Sequence, residues 1–314
     1  MMKSAKSLAF LAVGIAAAGF LAGAFAQTTL PIAATSAEKI LLLYKMPAGQ
    51  VLRYRGTGET REIRDQMGRT VEFVASAVST DAFLAKGEKD GHFLLGVTVE
   101  DRVASLSGDM GNYSTDFKPV LGKSFDMVLS PLGVEVDVTG AESLTFEQAG
   151  VKRDLAAGFK IFFPDLPDKP VGVGDTWPSS YTIETKEGPV TSRMEMKIIN
   201  SFDGFETVDG LECARITSMV SGVISGQGNQ GGAELLFKGE TKGTDVWRFA
   251  PKEGLYVGST SELVSEITLT INGAQALTIP ITQKRKGEIR LISHGAGGQD
   301  EGGRPLFLNE RRAE

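Results

Sequence analysis

The chain has 314 residues, a formal net charge of −6 from 33 basic and 39 acidic side chains, one cysteine and two histidines. That acidic balance argues against nucleic acid and anionic membrane surfaces, which draw basic proteins. A lone cysteine, Cys213, excludes an intramolecular disulfide, so the fold must rest on an apolar core, for which the length suffices as one large or two smaller β-domains.

In chain order, Lys3 and Lys6 precede an apolar run from Leu8 to Phe25, and Ala24-Phe25-Ala26 stands ahead of Gln27. Basic, apolar and small-residue segments in that order predict a secretory signal peptide over residues 1–26, cut between Ala26 and Gln27. No cysteine stands at the cut, so a lipoprotein is not expected, and the predicted location is periplasmic or secreted. Cleavage removes two lysines and no acid, which moves the net charge from −6 to −8. No later stretch is long and apolar enough to cross a bilayer as a helix.

Residues 27–39 read as an N-terminal linker and 40–140 as a first β-subdomain. Gly49–Tyr54 opens a strand, and alternation over Arg69–Thr80 and His92–Val99 flanks an Asp90-Gly91 turn. Ser124–Ser130 and Val134–Val138 follow, joined by Ser130-Pro131-Leu132-Gly133. Residues 141–176 read as one central helix at about 141–161 and a proline-rich connector. Leu144, Leu155 and Phe159 lie near one helical face. Pro164, Pro167 and Pro170 stop any helix beyond, and Trp177 brings a large apolar surface to the next strand.

Residues 177–292 read as a second β-subdomain in the same order. Val190–Phe202 places Met194 and Met196 on one face, Asp209-Gly210 is the turn, and Leu211–Ile224 and Thr244–Phe249 follow. The landmarks keep step: Gly91 and Gly210 are 119 apart, Pro131 and Pro251 are 120 apart, and Gly133 and Gly254 are 121 apart. Three matches in order indicate a tandem duplication of curved antiparallel sheets or half-barrels. A closing hairpin around Asn272-Gly273 completes this half, with Pro280 marking a sheet edge or bulge. Residues 293–314 read as a disordered Gly-rich tail.

Chemistry is sparse. His92 follows a turn, where exposure is expected, His294 falls in the tail, and Cys213 sits within a strand pattern, so no nucleophile–base pair forms. No metal-ligand spacing appears. Asp203, Glu206 and Asp209 have a calcium-loop composition without its spacing, and Gly226–Gly232 lacks the lysine and helix of a phosphate loop.

The run Leu166-Pro167-x-Lys169-Pro170-Val171-x-Val173-Gly174-Asp175-x-Trp177, with the Gly49–Tyr54 strand start and the Pro-x-Gly turn, resembles an uncharacterised family of exported bacterial β-rich envelope proteins, many of them lipoproteins. This chain departs from many of them in lacking a lipobox cysteine, and the resemblance implies no catalytic residues. In fold, a curved antiparallel sheet with one helix is similar to the lipoprotein-carrier half-barrels of the envelope. The reading is therefore an exported, non-catalytic envelope protein without cofactor or metal. It is a binding or structural module, with a hydrophobic ligand or an envelope protein as partner. Trp177, Met194, Met196 and Phe159 are the candidate ligand-binding residues. The alternatives are a carboxylate-dependent hydrolase of envelope polymers and a protein-assembly module.

Overall fold

The computed structural model describes residues 39–296 apart from 67, 110, 149–150, 231 and 274–275. The expected signal peptide, the linker up to residue 38 and residues 297–314 of the expected tail lie outside the described residues. The first half supplies β1 (Gln50–Gln66), β2 (Arg69–Lys89), β3 (His92–Gly108), β4 (Tyr113–Ser114), β5 (Ser124–Leu129) and β6 (Glu135–Asp137). A 3-10 turn at Thr139–Ser143 leads to β7 (Thr145–Gln148), β8 (Val151–Asp154) and α1 (Ala156–Phe159). The second half supplies β9 (Thr176–Glu187), β10 (Val190–Val208), β11 (Leu211–Gln230), β12 (Ala233–Ala250), β13 (Leu255–Asn272) and β14 (Leu277–Ala296).

The protein is mainly β, as its alternating pattern requires. Twelve strands form one antiparallel sheet in the order β6-β5-β3-β2-β1-β14-β13-β12-β11-β10-β9, with β4 beside β3. The sheet is not closed, and its two ends are β6 and β9. The stretches expected as separate subdomains, 40–140 and 177–292, thus lie in one continuous sheet, with β14 between the two runs of strands.

The central helix is much shorter than expected. Within 141–161 it occupies Ala156–Phe159, and β7 and β8 pair as a small hairpin ahead of it. Thr145, Phe146 and Val151 favour extended backbone, and Gly158 weakens a longer helix. Leu144, Leu155 and Phe159 are nevertheless all buried, so their apolar spacing served a core reached by a different backbone path. Two other segments extend strands rather than loops. β14 continues through Ser293 and His294, with His294 opposite Leu52 of β1, and Gly226 to Gln230 belong to β11. Pro280 lies one residue past Ile281, where pairing with β1 ends, so its missing N–H leaves no gap in that ladder.

The two runs repeat one another in detail. Asp90-Gly91 joins β2 to β3 and Asp209-Gly210 joins β10 to β11, all four residues having positive φ, as a type I′ hairpin demands. β2 bulges between Ala85 and Gly87, and β10 between Phe202 and Gly204. The turns at Pro131–Gly133 and Pro251–Gly254 grip the same short segment. Tyr44 N–H donates to Pro131 O and Lys45 N–H to Gly254 O, both at 3.0 Å. A Cβ on Gly133 would lie 2.3 Å from Pro164 O, and one on Gly254 would lie 2.5 Å from Lys45 N, so neither turn admits a side chain.

The connector closes one end of the curled sheet. Phe163, Leu166, Val171 and Trp177 are buried, and Phe159, Phe162 and Phe163 interlock with Tyr44, Tyr54 and Phe83 at ring separations of 4.7–6.2 Å. Tyr44 Oη donates to Pro164 O at 3.0 Å and Leu166 N–H to Leu132 O at 2.8 Å. Three prolines cannot donate backbone bonds, so this segment is tied down by side chains and by its few remaining N–H groups.

Candidate functional site

Alternate residues of each strand face the inside of the curl, and the pairing register lines them up in rows across neighbouring strands. In the first half Gly58 of β1 pairs with Ala77 of β2, which pairs with Ala104 of β3. Counted from the strand-opening glycines, with Gly58 nine residues past Gly49 and Ile183 nine past Gly174, the corresponding row of the second half is Ile183 of β9, Met194 of β10 and Ile224 of β11. One row along, Gly56–Ser79–Arg102 corresponds to Tyr181–Met196–Gly222. Where the second half carries Tyr181, Ile183, Met194, Met196 and Ile224, the first carries Gly56, Gly58, Ala77, Ser79 and Ala104; the exception is Arg102, matched by Gly222.

The consequence is a cavity of about 350 Å³ on the inner face of β1, β2 and β3. Gly58, Ala75, Ala77 and Ala104 form its floor, and Phe146, Leu155, Ala156 and Ala157, from β7, the segment after β8 and α1, form the opposite wall. Its size falls in the range of small-molecule sites, which are mostly apolar with a few placed polar groups. A second depression, around Thr185, Ser192, Gly226 and Phe237 at the far end of β9 to β12, is more open.

The placed polar groups sit on β1 and β14. Glu62 and Arg64 lie two apart on β1, both facing inward, and Glu62 pairs across to Gln283 of β14. Arg64 is 1 % exposed; its Nε donates to Glu62 Oε1 and its guanidinium lies 4.5 Å over the Phe73 ring. Gln283 Nε2 donates to Glu62 Oε2 at 2.6 Å, and Arg285 Nη2 donates to Gln283 Oε1 at 2.7 Å. Burial pulls the Arg285 pKa below its ordinary value. Further along, Arg102 Nη2 reaches both oxygens of Asp81 at 3.0 and 3.1 Å. Burial pushes the Asp81 carboxyl up, and Arg102 pulls against it. Arg153 of β8 lines the wall opposite.

The structure places the four candidate binding residues in packed cores, and none is among the residues lining this cavity. Trp177 is 5 % exposed, meets Trp247 edge-on at 6.2 Å and donates Nε1–H to Asp165 O at 3.5 Å. Phe159 packs against Phe83 and Phe125. Met194 and Met196 are buried in the second half among Ile183, Val220 and Ile224. The sequence carried a signal for the cavity that these choices passed over, namely small inward residues where the second half has large ones.

The remaining chemical groups lie outside this cavity. Cys213 is fully buried, its Sγ 3.5 Å from Leu211 O, and burial pushes its thiol up to about 11. His92 is half-buried rather than exposed, being flanked by strand pairing from Lys89. Asp203 is held by Arg215 and Thr217, Glu206 by Arg248, and Asp209 by Arg290, so the calcium-like cluster is a set of ion pairs. Gly226 and Gly228 are small because strands crowd them: a Cβ on Gly226 would lie 2.1 Å from the Phe237 ring. Desolvation raises Glu135 to about 8 and Asp245 to about 7, but neither lines the cavity.

Among the described residues no group of three or more His, Cys, Asp or Glu side chains converges to hold a metal. Nor is any helix among them long and apolar enough to cross a membrane. No family model matches the chain, and no curated protein matches it. Among solved structures, Pseudomonas aeruginosa OccK2 (OpdF) aligns over 78 % of this chain and 100 % of its own at 7 % identity and a TM-score of 0.25. Acinetobacter baumannii OccAB4 aligns over 77 % and 99 % at 9 % identity and a TM-score of 0.20. At TM-scores this low the likeness transfers neither a detailed fold nor a function to this chain.

Proposed function

We propose that this is a non-catalytic binding protein of the cell envelope that holds an apolar ligand in the cavity beneath β1, β2 and β3. The carrying observation is the exchange of Ile183, Met194 and Ile224 for Gly58, Ala77 and Ala104 at matching rows. Two runs of strands with the same order, hairpins and bulges support descent from one duplicated unit. On that reading one copy filled its interior and the other kept it open. The signal-like N-terminus and the Leu166–Trp177 motif support the envelope assignment.

The test is native mass spectrometry of the protein purified from exporting cells, joined to titration with an environment-sensitive naphthylamine probe. The expected result is a co-purifying small apolar molecule, with probe fluorescence rising on binding and falling when that molecule is added back. Protein that carries nothing and leaves the probe dark would refute the reading.

A further inference from the structure

We propose that the cavity's natural occupant is an amphiphile with one anionic oxygen head group, a carboxylate or a phosphate, and that Arg64 receives that head. The inference rests on the apolar-cavity reading above and adds the chemistry of one end of the ligand.

Arg64 carries the argument. Its side chain is 1 % exposed, it lines the cavity, and its Nη2 is buried with no hydrogen-bond partner. An unpaired buried donor costs about 1–3 kcal/mol and more on a charged group, so such atoms in folded proteins call for an explanation. The neighbouring carboxylate does not supply the missing acceptor. Glu62 Oε1 already receives Arg64 Nε, and Oε2 already receives Gln283 Nε2. Phe73 covers one face of the guanidinium, 4.5 Å away, which fixes its plane and leaves its edge for a partner. A planar guanidinium edge suits a carboxylate or phosphate oxygen better than any neutral group.

The rest of the cavity fits the tail of such a molecule. From the Glu62–Phe73 row the floor runs along β1 and β2 through Thr60–Ala75 and Gly58–Ala77, with Leu106 and Ala104 beside them on β3. Arg102 stands at the far end; its Nη2 already spans both oxygens of Asp81, but its Nε is also buried without a partner, so the Arg102 variant below is the control that separates the two guanidinium groups. The ligand is thus oriented, head at Arg64 and tail over the alanines.

The experiment is calorimetric titration of the mature chain with four probes of one tail length: dodecanoate, dodecyl phosphate, dodecanol and dodecylammonium. One anionic probe should bind about tenfold to a hundredfold more tightly than dodecanol, the worth of a charge-assisted hydrogen bond. Dodecylammonium should bind most weakly. Which anion is preferred separates a carboxylate source from a phosphate source. The paired replacement Glu62→Gln with Arg64→Met, which removes both charges of the ion pair together, should erase the anion preference while retaining dodecanol. Asp81→Asn with Arg102→Met should keep the preference. Equal affinity for the anionic and neutral probes would overturn the head-group assignment and leave the apolar cavity standing, and the wild-type series decides this even if a variant fails to fold. A preference that survives loss of Arg64 would also overturn it. Binding of none of the four would instead refute the cavity as a ligand site.

Discussion

Across the row Gly58–Ala77–Ala104 the first half of the sheet presents three small side chains, whereas across Ile183–Met194–Ile224 the second presents three large ones. Three inward rows further along, the polarity of the contrast reverses. Leu52, Phe83, Val97 and Phe125 run across the first half, and their matches are Trp177, Asn200, Ser218 and Asp245. In the second half these polar groups bond to one another: Trp247 Nε1 donates to Ser218 Oγ at 2.9 Å, and Ser218 Oγ donates to Asn200 Oδ1 at 2.6 Å. One half is thus apolar beside the connector and open further along, and the other is partly polar there and filled further along. Each buried Ile or Met contributes roughly 1.5–3 kcal/mol, so the first half forgoes several such terms.

The largest effect that bears on this contrast is expected at Trp177. It occupies the position matching Leu52 and is 5 % exposed. Trp177→Ala should lower unfolding stability by about 3–5 kcal/mol, read as a shift in denaturation midpoint. An unchanged midpoint would mean that the connector does not depend on its anchor.

Swapping the contrast comes next. Met194→Ala should cost about 2–5 kcal/mol and open a second apolar space able to bind the naphthylamine probe. Ala77→Met, which copies the second half into the first, should abolish probe binding while changing stability by no more than about 1–3 kcal/mol. A fully active Ala77→Met protein would dissolve the comparison, because the space would then have no bearing on binding.

The pH dependence draws on raised carboxyls in both halves. Desolvation raises Glu135 of β6 to about 8 and Asp245 of β12 to about 7. A carboxyl that binds its proton more tightly folded than unfolded favours the folded state at low pH. Stability should therefore fall as the pH climbs from the ordinary carboxylate range through 7 and then 8. Asp137 and Asp175 are pulled down by hydrogen bonds from Thr139 and Lys39, so they titrate below this window. Denaturation midpoints at several pH values should show the fall, on the order of a few kcal/mol for each group. Asp245→Asn should remove its lower part and Glu135→Gln its upper part. Stability that rises over this window would contradict both assignments.

Much of the architecture was legible before any coordinates. Alternation over Arg69–Thr80 and Val190–Phe202, the Asp90-Gly91 and Asp209-Gly210 turns and the three prolines of the connector are local signals, and strands, hairpins and a helix stop follow from them. The helix spans Ala156–Phe159 rather than 141–161 because the helical spacing of Leu144, Leu155 and Phe159 also suits a hairpin and turn that bury the same residues. Met194 and Met196 drew notice as ligand contacts because an inward methionine looks the same in sequence whether it lines a space or fills it.

By itself the sequence determined a mainly β chain, the inward and outward alternation of each strand and the two matching runs, because these depend on neighbours along the backbone. Only the tertiary structure decided that the two runs join through β1 and β14 into one sheet. It also decided that Glu62, the ion-pair partner of Arg64, meets Gln283, 221 residues away along the chain, and that Gly58, Ala77 and Ala104 share a row. Strand pairing between distant segments sets those contacts, and no local pattern encodes which strand lies beside which or whether the space between them is filled.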